Sequence, residues 1–193
     1  MRREWLFILA GAVVLLLFAG KTFARPYRDE SGNVIFPGNE SDMIPVTNYS
    51  DNAVALVKRE EGLRLDAYRD AGGWSIGYGH FLGMEKTIAN ITQDTAESYL
   101  AQDMDNAAQL IRDNVTSPLS QNQFDALTSF LYNLGSKALT GGDGGPSTWL
   151  TKLNAGDYEG ASAQLTRWAN SEGRLNNVLV QRREREKELF LSA

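Results

Sequence analysis

Glu61 and Asp70 are the residues whose types and spacing could do chemistry. They lie in "REEGLRLDAYRDAGGWSIGYGH", Arg59 to His80, with eight residues between them. Glu61 directly precedes Gly62, and Asp70 stands one residue before the Gly72-Gly73 pair. Two carboxyl groups can cleave a glycosidic bond when one gives a proton to the leaving oxygen and the other supports or activates the attacking water. The two then need unlike surroundings. A helix end meeting a strand can partly desolvate Glu61, while a glycine-rich turn leaves Asp70 wet. Spacing alone does not decide the matter. Glu60 and Glu61 suit a solvated helix face equally well, and Asp70 suits a turn that bonds its own backbone.

Composition narrows the alternatives. The 193 residues include no cysteine and one histidine, His80. A disulfide framework and a thiolate nucleophile are excluded. A zinc centre normally takes two or three His or Cys ligands, and a Ser-His-Asp hydrolase would rest on His80 alone. Carboxylates are the main chemical resource left, and no metal or cofactor is expected. The net charge is −5, and residues 1–24 are basic, so the remainder is more acidic still. An acidic body lacks the basic face that nucleic acid requires, whereas a sugar polymer remains an open partner.

The elements around the two acids follow from periodicity and punctuation. Ser50 or Asp51 can cap a helix over "NAVALVKREE", which Gly62 ends. "LRLDAY" and "WSIGYG" read as strands joined by "RDAGG", a hairpin. Four further helices are predicted. The first is a long one after Thr92; the second is "SQNQFDALTSFLYNL", up to Gly135. A third runs from Ser147 to Gly156, and a fourth from Asp157 through Trp168 to Asn170. The segment "VLVQRREREKELFLSA" closes the chain as a helix. The sum is an α+β layout, a small β hairpin lobe beside a helical bulk.

The first fifty residues are of a different kind. After Arg2 and Arg3, an uncharged run extends from Trp5 to Gly20. As a helix it spans about 24 Å, short of the ~30 Å hydrocarbon core. Five of its 16 residues are Ala or Gly. It suits a weak inner-membrane segment with its N-terminus in the cytoplasm. It equally suits a cleaved secretory signal, with Thr22 and Ala24 before the cut. Either fate exports the rest of the chain. Residues 25–49 carry three of the five prolines and read as a linker. The expected organisation is therefore an anchor or signal over 1–24, a linker over 25–49 and a catalytic domain over 50–193.

The segment "EEGLRLDAYRDAGGWSIGYGH" closely resembles the active-site segment of the phage-type lysozymes, glycoside hydrolase family 24. "ALTSFLYNLG", "STWLTKLNAGDY", "LTRW" and "QRREREKELF" follow in that family's order and spacing, so the resemblance covers about 51–190. It implies a lysozyme-like fold and a muramidase that cuts the β-1,4 bond between N-acetylmuramic acid and N-acetylglucosamine. The family pattern is Glu, eight residues, Asp or Cys, five residues, Thr. Glu61 and Asp70 fit it. The third position departs, because four residues separate Asp70 from Ser75 and the residue is Ser.

The resemblance implies Glu61 as general acid, with Asp70 and Ser75 positioning the water, inversion at the sugar carbon and no metal. It also implies an arginine of the last helix beside Glu61, with Arg182 the best match and Arg183 the fallback. The rest of "RRERE" reads as a solvated face. His80 resembles a structural position. Tyr78 and Asn133 stand where sugar contacts could lie, each open between cleft and packing, and Trp149 and Trp168 suit a core. The N-terminal segment resembles that of signal-anchor-release endolysins. These are tethered in the membrane until release into the periplasm, and a monomer is expected. Two rivals use the same fold: a lytic transglycosylase working with Glu61 alone, and a non-catalytic wall-binding protein.

Overall fold

The computed structural model describes residues 27–28, 34–35, 46–70, 72–171 and 173–192. Two units are distinguished, 1–44 and 45–193. Of the first, the described residues are an antiparallel pair, β1 (Tyr27–Arg28) with β2 (Val34–Ile35). The expected N-terminal hydrophobic helix lies outside the described residues. No helix among those described is long and apolar enough to cross a membrane.

The second unit begins to pack ahead of Ser50, since Val46 and Tyr49 lie against the core. Helix α1 (Asp51–Glu61) starts where the Ser50 side chain accepts a bond from the Asn52 N–H. Ala53 and Val57, four positions apart, are its buried stripe. Gly62, with φ 67°, ends it, because a left-handed residue cannot continue the helix. Strands β3 (Arg64–Asp70), β4 (Gly73–Gly77) and β5 (His80–Gly83) then form an antiparallel sheet in that order.

The third strand was not expected. "HFLG" is short and bracketed by glycines, so it shows no alternation of its own. Its place is fixed by close approach: a Cβ on Gly73 would lie 2.4 Å from the Gly83 carbonyl oxygen. Only a glycine at Gly73 lets β4 and β5 meet so closely.

The helical lobe is built around α3 (Gln121–Leu134). Ser120 and Gln123 cap it reciprocally, which satisfies two otherwise orphaned N–H groups. Every residue from Gln123 to Leu131 is buried, as befits a helix surrounded by its neighbours. Helix α2 (Gln93–Asn114) presents Ala96, Leu100, Met104, Ala107, Ala108 and Ile111 inward. A 3-10 turn (Gly135–Leu139) and helices α4 (Thr148–Asn154), α5 (Tyr158–Leu165) and α6 (Asn177–Leu191) complete the lobe.

Trp149 is buried, with its ring edge-on to Phe130 at 5.6 Å and its Nε1–H donating to the Ala138 carbonyl. Trp168 packs on the same core and meets Phe130 edge-on at 6.2 Å. Burying an aromatic of this size contributes about 3 kcal/mol or more.

Helix α5 is shorter than its sequence suggests. It stops at Leu165, and the N–H groups of Arg167 and Trp168 turn back onto Gln164 and Leu165. A two-residue pairing of β6 (Asn170–Ser171) with β7 (Arg174–Leu175) then leads into α6.

Candidate active site

Glu61 is the last residue of α1, so its side chain leaves the helix where the chain turns into the sheet. Arg182 reaches it from α6, and its Nη1 donates to Glu61 Oε1 at 2.6 Å. The same guanidinium donates through Nε to Glu186 Oε1 at 3.1 Å and through Nη2 to the Ser129 carbonyl at 3.2 Å. One planar fork thus ties together α1, α3 and α6. The Glu61 side chain is 20% exposed and the Arg182 side chain 4%. Glu61 Oε2 accepts no hydrogen bond among the described residues. It faces Gly79, where an added Cβ would lie 3.3 Å away.

Asp70 ends β3, and its carboxylate is built into the hairpin. The Ser75 hydroxyl donates to Oδ2 at 2.7 Å, and the Gly72 N–H donates to Oδ1 at 2.9 Å. The Ser75 bond, with the backbone N–H groups of Gly72 and Gly73, outweighs desolvation and holds the carboxyl below its ordinary range. Pairing explains how Ser75 reaches Asp70 across only four intervening residues. Asp70 pairs with Gly73, and Tyr68 pairs with Ser75. The alternation of strand side chains puts Asp70 and Ser75 diagonally on one face.

Tyr68 shares that face, two residues before Asp70. Burial, then the negative charges of Glu61 and Asp70, push its phenol up. Tyr68 is thus within electrostatic reach of both carboxylates. The Arg64 guanidinium lies 4.0 Å from its ring centroid. Tyr132 of α3 stands nearby, its hydroxyl donating to the Tyr78 carbonyl at 2.7 Å. Its phenol is also raised, by burial first and then by Asp103 and Glu61.

Other expected residues fall elsewhere. Tyr78 is buried against Ala53, Val57, Ala96, Leu100 and Met104, so its ring packs in the core between α1 and α2. Asn133 accepts from Arg183 Nη2 at 2.6 Å, which commits its carbonyl oxygen to α6. His80 stacks on Tyr99 at 4.2 Å, with Nδ1 2.8 Å from Asp103. The solvated-face reading of "RRERE" is corrected: Arg182, Arg183 and Glu186 are buried. Arg185 makes two bonds to Glu60, at 2.7 and 2.6 Å. Helical spacing exposed one face only for Glu184, because α6 packs between α3 and α5.

Sequence reasoning missed Tyr68, Tyr132, Ser129 and Glu186. Tyr68 was legible as the strand neighbour of Asp70. Glu186 stood four residues after Arg182, a pairing distance, but nothing local marked it as buried. Among the described residues, no group of three or more His, Asp or Glu side chains gathers as a metal site.

Residues 58–186 match the profile of the family described as Phage lysozyme. The chain belongs to the phage lysozyme family. It is 42% identical over 149 residues to an endolysin of Acyrthosiphon pisum secondary endosymbiont phage 1, covering 75% of this chain and 98% of that protein. It is 32% identical over 132 residues to a SAR-endolysin of Bacteriophage PS119, covering 68% and 76%. The fold matches the muramidase domain of SpmX from Asticaccaulis excentricus with a TM-score of 0.66. That match has 34% identity and covers 76% of this chain and 99% of that one.

Proposed function

We infer that this phage lysozyme is a muramidase that hydrolyses the β-1,4 bond between N-acetylmuramic acid and N-acetylglucosamine in the host cell wall. The observation that carries this is the pair of carboxyls held in opposite ways by their partners. Asp70 carries an inward set of donors that keep it ionised. Glu61 is anchored through Oε1, and among the described residues nothing donates to Oε2, which is left for a substrate oxygen.

In this reading Glu61 gives its proton to the glycosidic oxygen as the bond to the leaving sugar breaks. Asp70, oriented by Ser75, holds the attacking water on the other side and takes up its proton, with inversion at the sugar carbon. Ser75 is nearly buried, so its part is to orient Asp70. Acid–base work of this kind needs only water as co-reactant. One chain supplies both acids, so a monomer suffices.

The apolar run over 5–20 and the SAR-endolysin relatives support export, tethering at the inner membrane and release into the periplasm. The decisive test is digestion of purified sacculi by the native protein and by Glu61→Gln. A loss of about 100- to 10,000-fold is expected for a general acid. Mass spectrometry of the native digest should show reducing N-acetylmuramic acid ends. A 1,6-anhydro product would instead identify a transglycosylase, and an unaffected Glu61→Gln would overturn the assignment.

A further inference from the structure

Glu186 is a buried carboxylate that the reaction itself does not use, and burial pushes its carboxyl up against the pull of two arginines. Its Oε1 accepts from Ser129 Oγ at 2.8 Å and from Arg182 Nε at 3.1 Å. Its Oε2 lies 3.1 Å from Arg183 Nη1, yet that pair is not aligned as a hydrogen bond, and both atoms lack a bonded partner. Arg183 is itself fully buried, over the Phe130 ring at 5.0 Å, and burial brings its guanidinium down to about 10.

We propose that Glu186 is a positioning residue for Glu61, acting through Arg182. It fixes the tilt of the guanidinium and takes up part of its charge, so that Arg182 holds Glu61 in one orientation. The inference rests on Glu61 being the general acid. Without Glu186, two adjacent cations would face Glu61, and the other acid in their reach, Glu60, is already paired with Arg185. In a poorly solvated site each such charge acts strongly on its neighbours.

Arg182 bonds Glu61 from α6, and Arg183 of α6, Tyr68 of β3 and Tyr132 of α3 lie within its electrostatic reach, the two tyrosines also within reach of Asp70 and Asp103 respectively. Glu60, its neighbour on α1, is paired with Arg185.

The test compares Glu186→Gln and Arg183→Gln in pH profiles of kcat/KM on soluble peptidoglycan fragments, whose alkaline limb reports the general acid. Glu186→Gln keeps the shape and an acceptor for Arg182 and Ser129, but removes the charge. Its alkaline limb should move to lower pH by about half a unit or more, with KM little changed. Arg183→Gln should move the same limb to higher pH. A purely structural role lowers the melting temperature of both variants and moves neither limb, and that result overturns the proposal. Should Glu186→Gln fail to fold, the direction of the Arg183→Gln shift decides alone. If Glu61→Gln is inactive while both profiles superimpose on the native one, only the role of Glu186 falls. If Glu61→Gln is active, the muramidase assignment falls first.

Discussion

Arg182 Nη1 lies 2.6 Å from Glu61 Oε1, across 121 positions of sequence. The last helix of the chain thereby closes onto the end of the first helix of the body. The contact is a fork and not a single point, since the other nitrogens of Arg182 hold Glu186 and Ser129. A lysine cannot serve all three partners at once. For Arg182→Lys we expect at least about a tenfold loss of kcat/KM and a lower melting temperature, because a buried charge network losing a partner is destabilised by about 3 kcal/mol or more. Turbidity loss of permeabilised Gram-negative cells and thermal unfolding check both effects.

Ser75→Ala removes the hydroxyl that contributes most to holding Asp70 ionised. A depressed carboxyl stabilises the folded state above its ordinary range, and that contribution is lost as pH falls through the depressed value. The stability gap between the native protein and Ser75→Ala should therefore be widest at neutral pH and close in strong acid. The acid limb of kcat/KM should move to higher pH, and Ser75→Thr should restore much of the native profile. Identical acid limbs in native and Ser75→Ala enzyme would remove Ser75 from the site.

Gly79 has φ 93°, and a Cβ there would lie 3.3 Å from Glu61 Oε2. Gly79→Ala forces a side chain into a left-handed conformation, which costs about 1–2 kcal/mol. It also brings a methyl against the one oxygen left for substrate. We expect a loss of activity larger than the loss of stability explains, checked by assaying well below the melting transition.

Glu60 and Arg185 form a two-bond pair, with the Glu60 side chain 4% exposed. Burial opposes ionisation of Glu60, but Arg185 prevails and holds the carboxyl down. Arg185→Ala should destabilise by about 1–3 kcal/mol by leaving that carboxylate unpaired, a fall of about 2–4 °C in melting temperature per kcal/mol. The deficit should shrink as the medium becomes acid enough to protonate Glu60. A deficit independent of pH would mean that packing of the Arg185 stem, and not its charge, is what counts.

Trp149 is a core residue, and its indole is committed to Ala138 and Phe130. Trp149→Ala should cost about 3–5 kcal/mol. Trp149→Phe should lower the melting temperature and leave KM for glycan fragments unchanged. A raised KM in a stably folded Trp149→Phe would instead mean that the ring meets sugar.

Much of this protein was legible in its residues. Caps at Ser50, Thr92 and Ser120, and stops at Gly62 and Gly135, are local chemistry between near neighbours, and they set the helices. The places of the two acids were legible for the same reason, Glu61 at a helix-ending glycine and Asp70 at a hairpin, while their role was read from the family resemblance. The lack of cysteine and the single histidine narrowed the reaction class before any fold was known.

What only the tertiary structure decided was which side chains lie in the dark. Arg183 and Glu186 sit in a string of charges that reads as a solvated face, yet both are buried against Phe130, Asn133 and Ser129 of α3. Tyr78 reads as a cleft residue, yet α1 and α2 bury it. The strand over His80–Gly83 exists because Gly73 lets it approach, not because its own residues demand it. Burial is a property of elements far apart in sequence, and the cost of an unpaired charge is set by that burial. No local pattern foretells that burial; Arg182 was named as the partner of Glu61 from the family resemblance, not from its own neighbours.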